Sequence, residues 1–152
     1  MPNSPKIPKI LASVGVGFSP VLPGTLGSLV GLILYLFVSR STFLYGGTVL
    51  FLFGGGLLAC HAALKTTEEK DPSWIVIDET LGMMISFFQI PPRVPFLVIG
   101  FALFRFFDSV KLFPLDWLET LKGEWGVLLD DVGAGIYTTL VLHLLLRFNS
   151  GM

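Results

Sequence analysis

The sequence predicts an all-α protein, a compact integral-membrane helical bundle of short helices interrupted by glycine and proline. Three observations carry that expectation. Hydrophobic residues make up 53% of the 152-residue chain and charged residues only 14%, which is about half the charged share of an ordinary soluble domain. Residues 41–64 carry no charge unless His61 is protonated, and a bilayer core takes roughly 20 such residues in a helix. The shorter apolar runs, such as 75–77 and 96–99, could be read as strands. They form no even series of alternating segments, however, and an open sheet edge in lipid would leave backbone groups unsatisfied.

The length suits one domain, read as an N-terminal segment 1–14 and a core 15–147. Prolines and lysines fill residues 1–9, and the apolar stretch that follows is broken by glycines, Pro20 and Pro23, so no removable signal peptide is expected. A tight turn over 15–25 should lead into a helix starting near Thr25, capped by Thr25 or Ser28. Its apolar part, 27–38, spans only with help from 15–25 or from a locally thin bilayer. The 41–64 run should span unaided. After Asp78-Glu79, the runs 81–90 and 94–104 flank Pro91-Pro92, a helix break and turn, and are expected as a tight helical hairpin. The last run, 132–146, is again shorter than a standard span. Short glycine-bearing helices of this kind suggest a bundle shielded by its own neighbours.

The formal charge of −1 and a pI near 6.1 leave no basic excess for a polyphosphate backbone, which excludes nucleic acid as a partner. The one cysteine, Cys60, forms no disulfide within the chain and reads as a small buried hydrophobe among Leu57, Leu58 and Ala59. His61 and His143, both in apolar runs, read as packing or lipid-interface residues. If only Arg40, Arg93 and Arg147 lie on one side, the other holds Lys6, Lys9, Lys65, Lys70, Arg105, Lys111 and Lys122. By the excess of basic residues the second side is cytoplasmic, and every acidic residue gathers there.

Three clusters put polar residues where a membrane protein otherwise avoids them. Gly15-Val16-Gly17-Phe18-Ser19-Pro20 and Pro23-Gly24-Thr25-Leu26-Gly27-Ser28 can bring free backbone N–H groups to a helix start, either as an anion site or as a packing turn. Asp71-Pro72 leads to Asp78-Glu79, adjacent carboxylates costing roughly 2.5–3.5 kcal/mol each at mid-bilayer unless partnered. Asp78 alone could cap a helix; two acids are harder to explain that way. Arg105, Asp108 and Lys111 step by three residues and can share a helical face before the second acidic pair, Asp130-Asp131. Gly82 and Ala134 each stand four residues beyond the first acid of a pair and allow close helix approach, so the two pairs are expected to face each other. Asp78, Glu79, Asp108, Asp130 and Asp131 could hold one magnesium ion, or two sharing a phosphate, with Arg105 and Lys111 on the phosphate oxygens. Glu119 falls between the motifs and is given no chemical role.

In order and spacing, four motifs, the 15–28 run, Asp71-Pro72 leading to Asp78-Glu79, Arg105-x-x-Asp108-x-x-Lys111 and Asp130-Asp131-x-x-Ala134-Gly135, resemble the phosphatidylglycerophosphatase A family of magnesium-dependent membrane phosphatases, over about 15–135. The resemblance implies hydrolysis of phosphatidylglycerophosphate to phosphatidylglycerol and inorganic phosphate in phospholipid biosynthesis. It implies Asp78, Asp108, Asp130 and Asp131 as catalytic residues, those four with Glu79 as magnesium ligands, and Thr25, Ser28, Arg105 and Lys111 on the substrate phosphate. Attack by water and an aspartyl-phosphate intermediate both remain open. The expected setting is a bacterial inner membrane, with the site facing the cytoplasm and lipids as partners; the oligomeric state is not readable. A small ion transporter or channel subunit is the rival outside enzymology, and it would want carboxylates near mid-helix. A phosphotransferase would want a longer aspartate series on consecutive turns.

Overall fold

The computed structural model describes residues 6–150, with side chains through 148, so the first part of the 1–14 segment lies outside the described residues. Seven helices and no strands are found among the described residues: α1 (Lys6–Ala12), α2 (Pro23–Val38), α3 (Thr42–Leu64), α4 (Ile77–Ser86), α5 (Val94–Val110), α6 (Leu115–Glu119) and α7 (Glu124–Ser150). The all-α membrane bundle is what the chain adopts.

Two helices, α3 and α7, are long and apolar enough to cross a membrane. At 1.5 Å per residue α3 is ~34 Å long, a full hydrocarbon thickness. Only 22% of its most apolar window is buried in the bundle, and Phe43, Leu50, Phe51 and Leu58 point outward. A core helix of a soluble protein would be mostly covered; an outward apolar face like this one suits lipid. The N-cap of α3 is Ser41, whose hydroxyl accepts from the Leu44 N–H.

The ten-residue α4 is the centre of the bundle, packed chiefly between α2 and α7, with Leu81, Met83 and Met84 fully buried. Glycines make the approach possible. A Cβ at Gly27 or Gly31 of α2 would strike Val76 or the Thr80 carbonyl, and one at Gly135 of α7 would strike the Gly82 carbonyl. Polar side chains buried in these seams bond to backbone: Thr80 Oγ1 donates to Gly27 O (2.9 Å), Thr139 Oγ1 to Ile85 O (2.7 Å) and Tyr45 Oη to Met84 O (2.8 Å). Hydroxyls satisfied in this way do not carry the cost of burial in a dry interior.

Several expectations change. Pro91-Pro92 does end a turn, but α4 and α5 are not an isolated hairpin, because the glycine seams draw α4 onto α2 and α7 instead. Helix α7 begins at Glu124 and runs 27 residues, so it is longer than the 132–146 apolar run and carries Asp130-Asp131 within its second turn. Helix α2 starts at Pro23 behind Leu22, which makes no side-chain cap bond; Ser28 Oγ donates back to Gly24 O (2.9 Å) and does not cap. The helices alternate so that Arg40 and Arg93 lie at one end, where Tyr35 Oη donates to Ile90 O, and the acidic residues of α4 and α7 lie at the other.

Candidate active site

Asp78 and Glu79 occupy the first turn of α4, and Asp131 the second turn of α7. Gly82 brings the two helices together, since a Cβ there would lie 2.5 Å from the Asp131 carbonyl oxygen. As a result, one oxygen each from Asp78, Glu79 and Asp131 falls within 4.8 Å of the others. Asp78 and Asp131 are buried, and Glu79 Oε2 is buried with no hydrogen-bond partner. At an effective dielectric near 20, each ionised pair at that separation repels by roughly 3 kcal/mol. Three converging carboxylates, with a buried Glu79 oxygen left unpartnered, fit a divalent cation that prefers oxygen ligands. The close approach uses Gly135 where Ala134 was expected; Ala134 is buried in the core.

The α2 turn closes one side of this nest. A Cβ added at Gly24 would collide with Glu79 Oε1 and would stand 3.4 Å from Arg105 Nη1. Arg105 donates to Ser28 Oγ (3.4 Å) and pairs with Asp108 Oδ2 (2.8 Å), one helical turn on. Thr25 follows Gly24, partly buried in the same first turn of α2. The nest thus has a guanidinium beside it, fixed by two neighbours.

Lys111 lies beside Asp130, the neighbour of Asp131, and not on the face expected of it. It ends α5 in the left-handed conformation, φ 46°, which costs about 1–2 kcal/mol for a residue with a Cβ and turns its side chain off the Arg105–Asp108 stripe. Its Nζ lies 2.7 Å from Asp130 Oδ2 and 3.1 Å from Glu119 Oε1. Burial alone would lower the pKa of this amine, but hydrogen bonds and charge from Asp130 and Glu119 outweigh that and raise it, so Lys111 stays a cation. Asp130 Oδ1 accepts from the Asp131 N–H (3.0 Å), so Asp130 is turned toward the lysine and away from the three converging acids. Asp130, Glu119, Asp71 and Lys122 line a cavity of about 530 Å³ at this end of the bundle.

The structure therefore gathers Asp78, Glu79 and Asp131, sets Asp108 with Arg105 and Ser28 on one flank, and sets Asp130 with Lys111 on the other. The reading of the sequence missed Glu119, which falls between the motifs, and gave Asp71 a place in a motif but no chemical role. No spacing rule links Glu119 to Lys111, because a left-handed residue and the separate helix α6 bring them together. The histidines do more than pack: His61 Nδ1 is 3.2 Å from Glu124 Oε2, and His143 Nε2 is 2.9 Å from Phe88 O. Cys60 is fully buried, as expected.

The sequence profile of the phosphatidylglycerophosphatase A family matches residues 10–146. The chain belongs to that family. It is therefore an enzyme, a phosphoric monoester hydrolase. Among its relatives, the phosphatidylglycerophosphatase A of Escherichia coli K12 is 33% identical over 85% of this chain and 77% of its own length. The phosphatidylglycerophosphatase A of Haemophilus influenzae Rd is 37% identical over 87% and 85%. A Bacteroides thetaiotaomicron protein named "Putative phosphatidylinositol-3-phosphatase" is 37% identical over 84% and 86%. No solved structure matches the chain significantly. The matched region holds every acidic and basic residue of the nest and its two flanks.

Proposed function

We propose that the protein hydrolyses phosphatidylglycerophosphate to phosphatidylglycerol and inorganic phosphate in phospholipid biosynthesis, with magnesium held by Asp78, Glu79 and Asp131. The observation that carries this reading is the convergence of those three carboxylates beside Arg105, with Glu79 Oε2 left unpartnered. Two relatives bear the name of that activity, and the third is named for another lipid phosphate monoester. Its setting on this reading is a bacterial inner membrane, with the nest at the cytoplasmic face. That orientation is supported by the placement of Arg40 and Arg93 at the opposite end.

Phosphate monoesters hydrolyse very slowly unaided, so charge neutralisation and alignment must supply most of the rate. Bound by the three carboxylates, magnesium would supply charge neutralisation at the phosphate oxygens. Arg105, braced by Asp108 and Ser28, binds a non-transferring oxygen as a planar two-pronged donor. Lys111, held by Asp130, reaches the phosphate from the opposite flank as a point charge. On this reading Asp108, paired with Arg105 and adjoining Asp131, takes the proton of an attacking water at its carboxylate. Transport is disfavoured because the acids form a nest at one end of the bundle and do not line a route through it.

The deciding assay follows phosphate release from phosphatidylglycerophosphate in mixed micelles by the purified full-length chain. Activity should disappear in a chelator and return with added magnesium. Full turnover in the chelator removes the metal from the reaction. Phosphatidylinositol 3-phosphate should turn over at least about tenfold more slowly; equal or faster turnover reassigns the substrate.

A further inference from the structure

Glu119 lies at the end of the five-residue helix α6, half exposed, in a segment that carries none of the motifs. Its Oε1 nonetheless reaches Lys111 Nζ at 3.1 Å, while Asp130 Oδ2 takes the same ammonium at 2.7 Å. An ammonium has three donor hydrogens on a flexible four-carbon stem. Two carboxylates, one from α6 and one from α7, therefore fix two of the three and leave one donor. We propose that Glu119 is a positioning residue for the phosphatase reaction: it clamps Lys111 against Asp130 so that the remaining N–H is aimed at the substrate phosphate. The proposal rests on the reading of Lys111 as a phosphate-binding cation.

Three features of the structure favour a clamp over an incidental surface ion pair. Lys111 leaves α5 through a left-handed residue, so the backbone is bent to deliver this side chain toward α6 and α7. Asp130 holds the lysine through Oδ2 alone, while its Oδ1 accepts the Asp131 N–H. Glu119 and Asp130 also both line the 530 Å³ cavity, so the two carboxylates that hold the ammonium stand together at its wall. Helix α6 is itself anchored, through Leu115, which is buried and would touch a Cβ at Gly133 of α7. The second carboxylate thus comes from a fixed platform, and a reacting group fixed at two points loses less freedom on meeting its substrate.

The test is a double-mutant cycle on the full-length chain in mixed micelles with phosphatidylglycerophosphate. Glu119→Gln should lower kcat/KM about tenfold and weaken inhibition by inorganic phosphate in parallel, with the melting temperature unchanged. Lys111→Met should lower kcat/KM more, and adding Glu119→Gln to it should cost nothing further, because the residue through which Glu119 acts is gone. Asp116→Asn, an exposed acid on the same short helix, should behave as wild type. A further tenfold loss in the double variant overturns the clamp while leaving the phosphate role of Lys111 intact. Wild-type activity of Glu119→Gln overturns the clamp as well. Wild-type activity of Lys111→Met overturns the role of the lysine, and the clamp with it.

Discussion

Asp78 and Asp131, buried, and Glu79, partly buried, lie at a distance where mutual repulsion disfavours three charges, and that is what makes them informative. If they hold a cation, Asp78→Asn and Asp131→Asn keep size and one oxygen but remove the charge that binds it. Each should lower turnover at least about a hundredfold in protein that still inserts and folds. If the acids only cap or pack, the amide should leave turnover almost unchanged. Asp116→Asn, an exposed acid on α6, is the control. Asp130→Asn should act differently, by loosening Lys111, and so should raise KM more than the magnesium requirement. Gly24→Ala adds a Cβ where Glu79 Oε1 lies. The obstacle is a movable side chain, so the melting temperature should hold while activity falls roughly tenfold to a hundredfold from a displaced ligand.

At the scale of elements, the seam between α4 and α7 positions the nest. Gly82 is hemmed in by the Asp131 carbonyl at 2.5 Å and the Phe104 ring at 2.6 Å, counted from an added Cβ. Neither neighbour can move far, since one is backbone and the other a fully buried ring. Gly82→Ala should therefore cost about 3 kcal/mol by overpacking and lower the melting temperature of the detergent-solubilised protein by roughly 5 °C or more. An unchanged melting temperature would show that the two helices pack more loosely than this seam requires. The 41–64 run was legible because a spanning helix announces itself by the absence of charge over a full hydrocarbon thickness. The start of α7 was not, because Glu124, Asp130 and Asp131 break the apolar run while leaving helical geometry untouched.

Across the whole molecule, the acids and most lysines gather at one end and three arginines sit in the opposite turns and the last turn of α7. Lys70 and Lys122 should react with impermeant amine reagents from the cytoplasmic side of sealed vesicles only. Labelling of both from the other side reverses the orientation. Labelling from different sides breaks the picture of a single nest. The exposed apolar face of α3 and the half-covered α7 belong to the same scale, since outward apolar faces of that extent suit lipid as neighbour.

By itself, the sequence determined the helical class, the uncharged span, the family and the four motifs, because hydropathy and local motif order are properties of neighbours along the chain. It also led to the meeting of the first turn of α4 with the acidic turn of α7, through Gly82, though with Ala134 expected where Gly135 makes the approach. Only the tertiary structure decided how the acids divide. Asp131 joins Asp78 and Glu79 while Asp130, its immediate neighbour, turns away to Lys111, because adjacent residues on a helix point about 100° apart. It likewise decided that Gly24 backs Glu79 and that Glu119 reaches Lys111. Those contacts depend on a turn, a left-handed residue and a five-residue helix whose positions are set by packing at a distance, which no local pattern encodes.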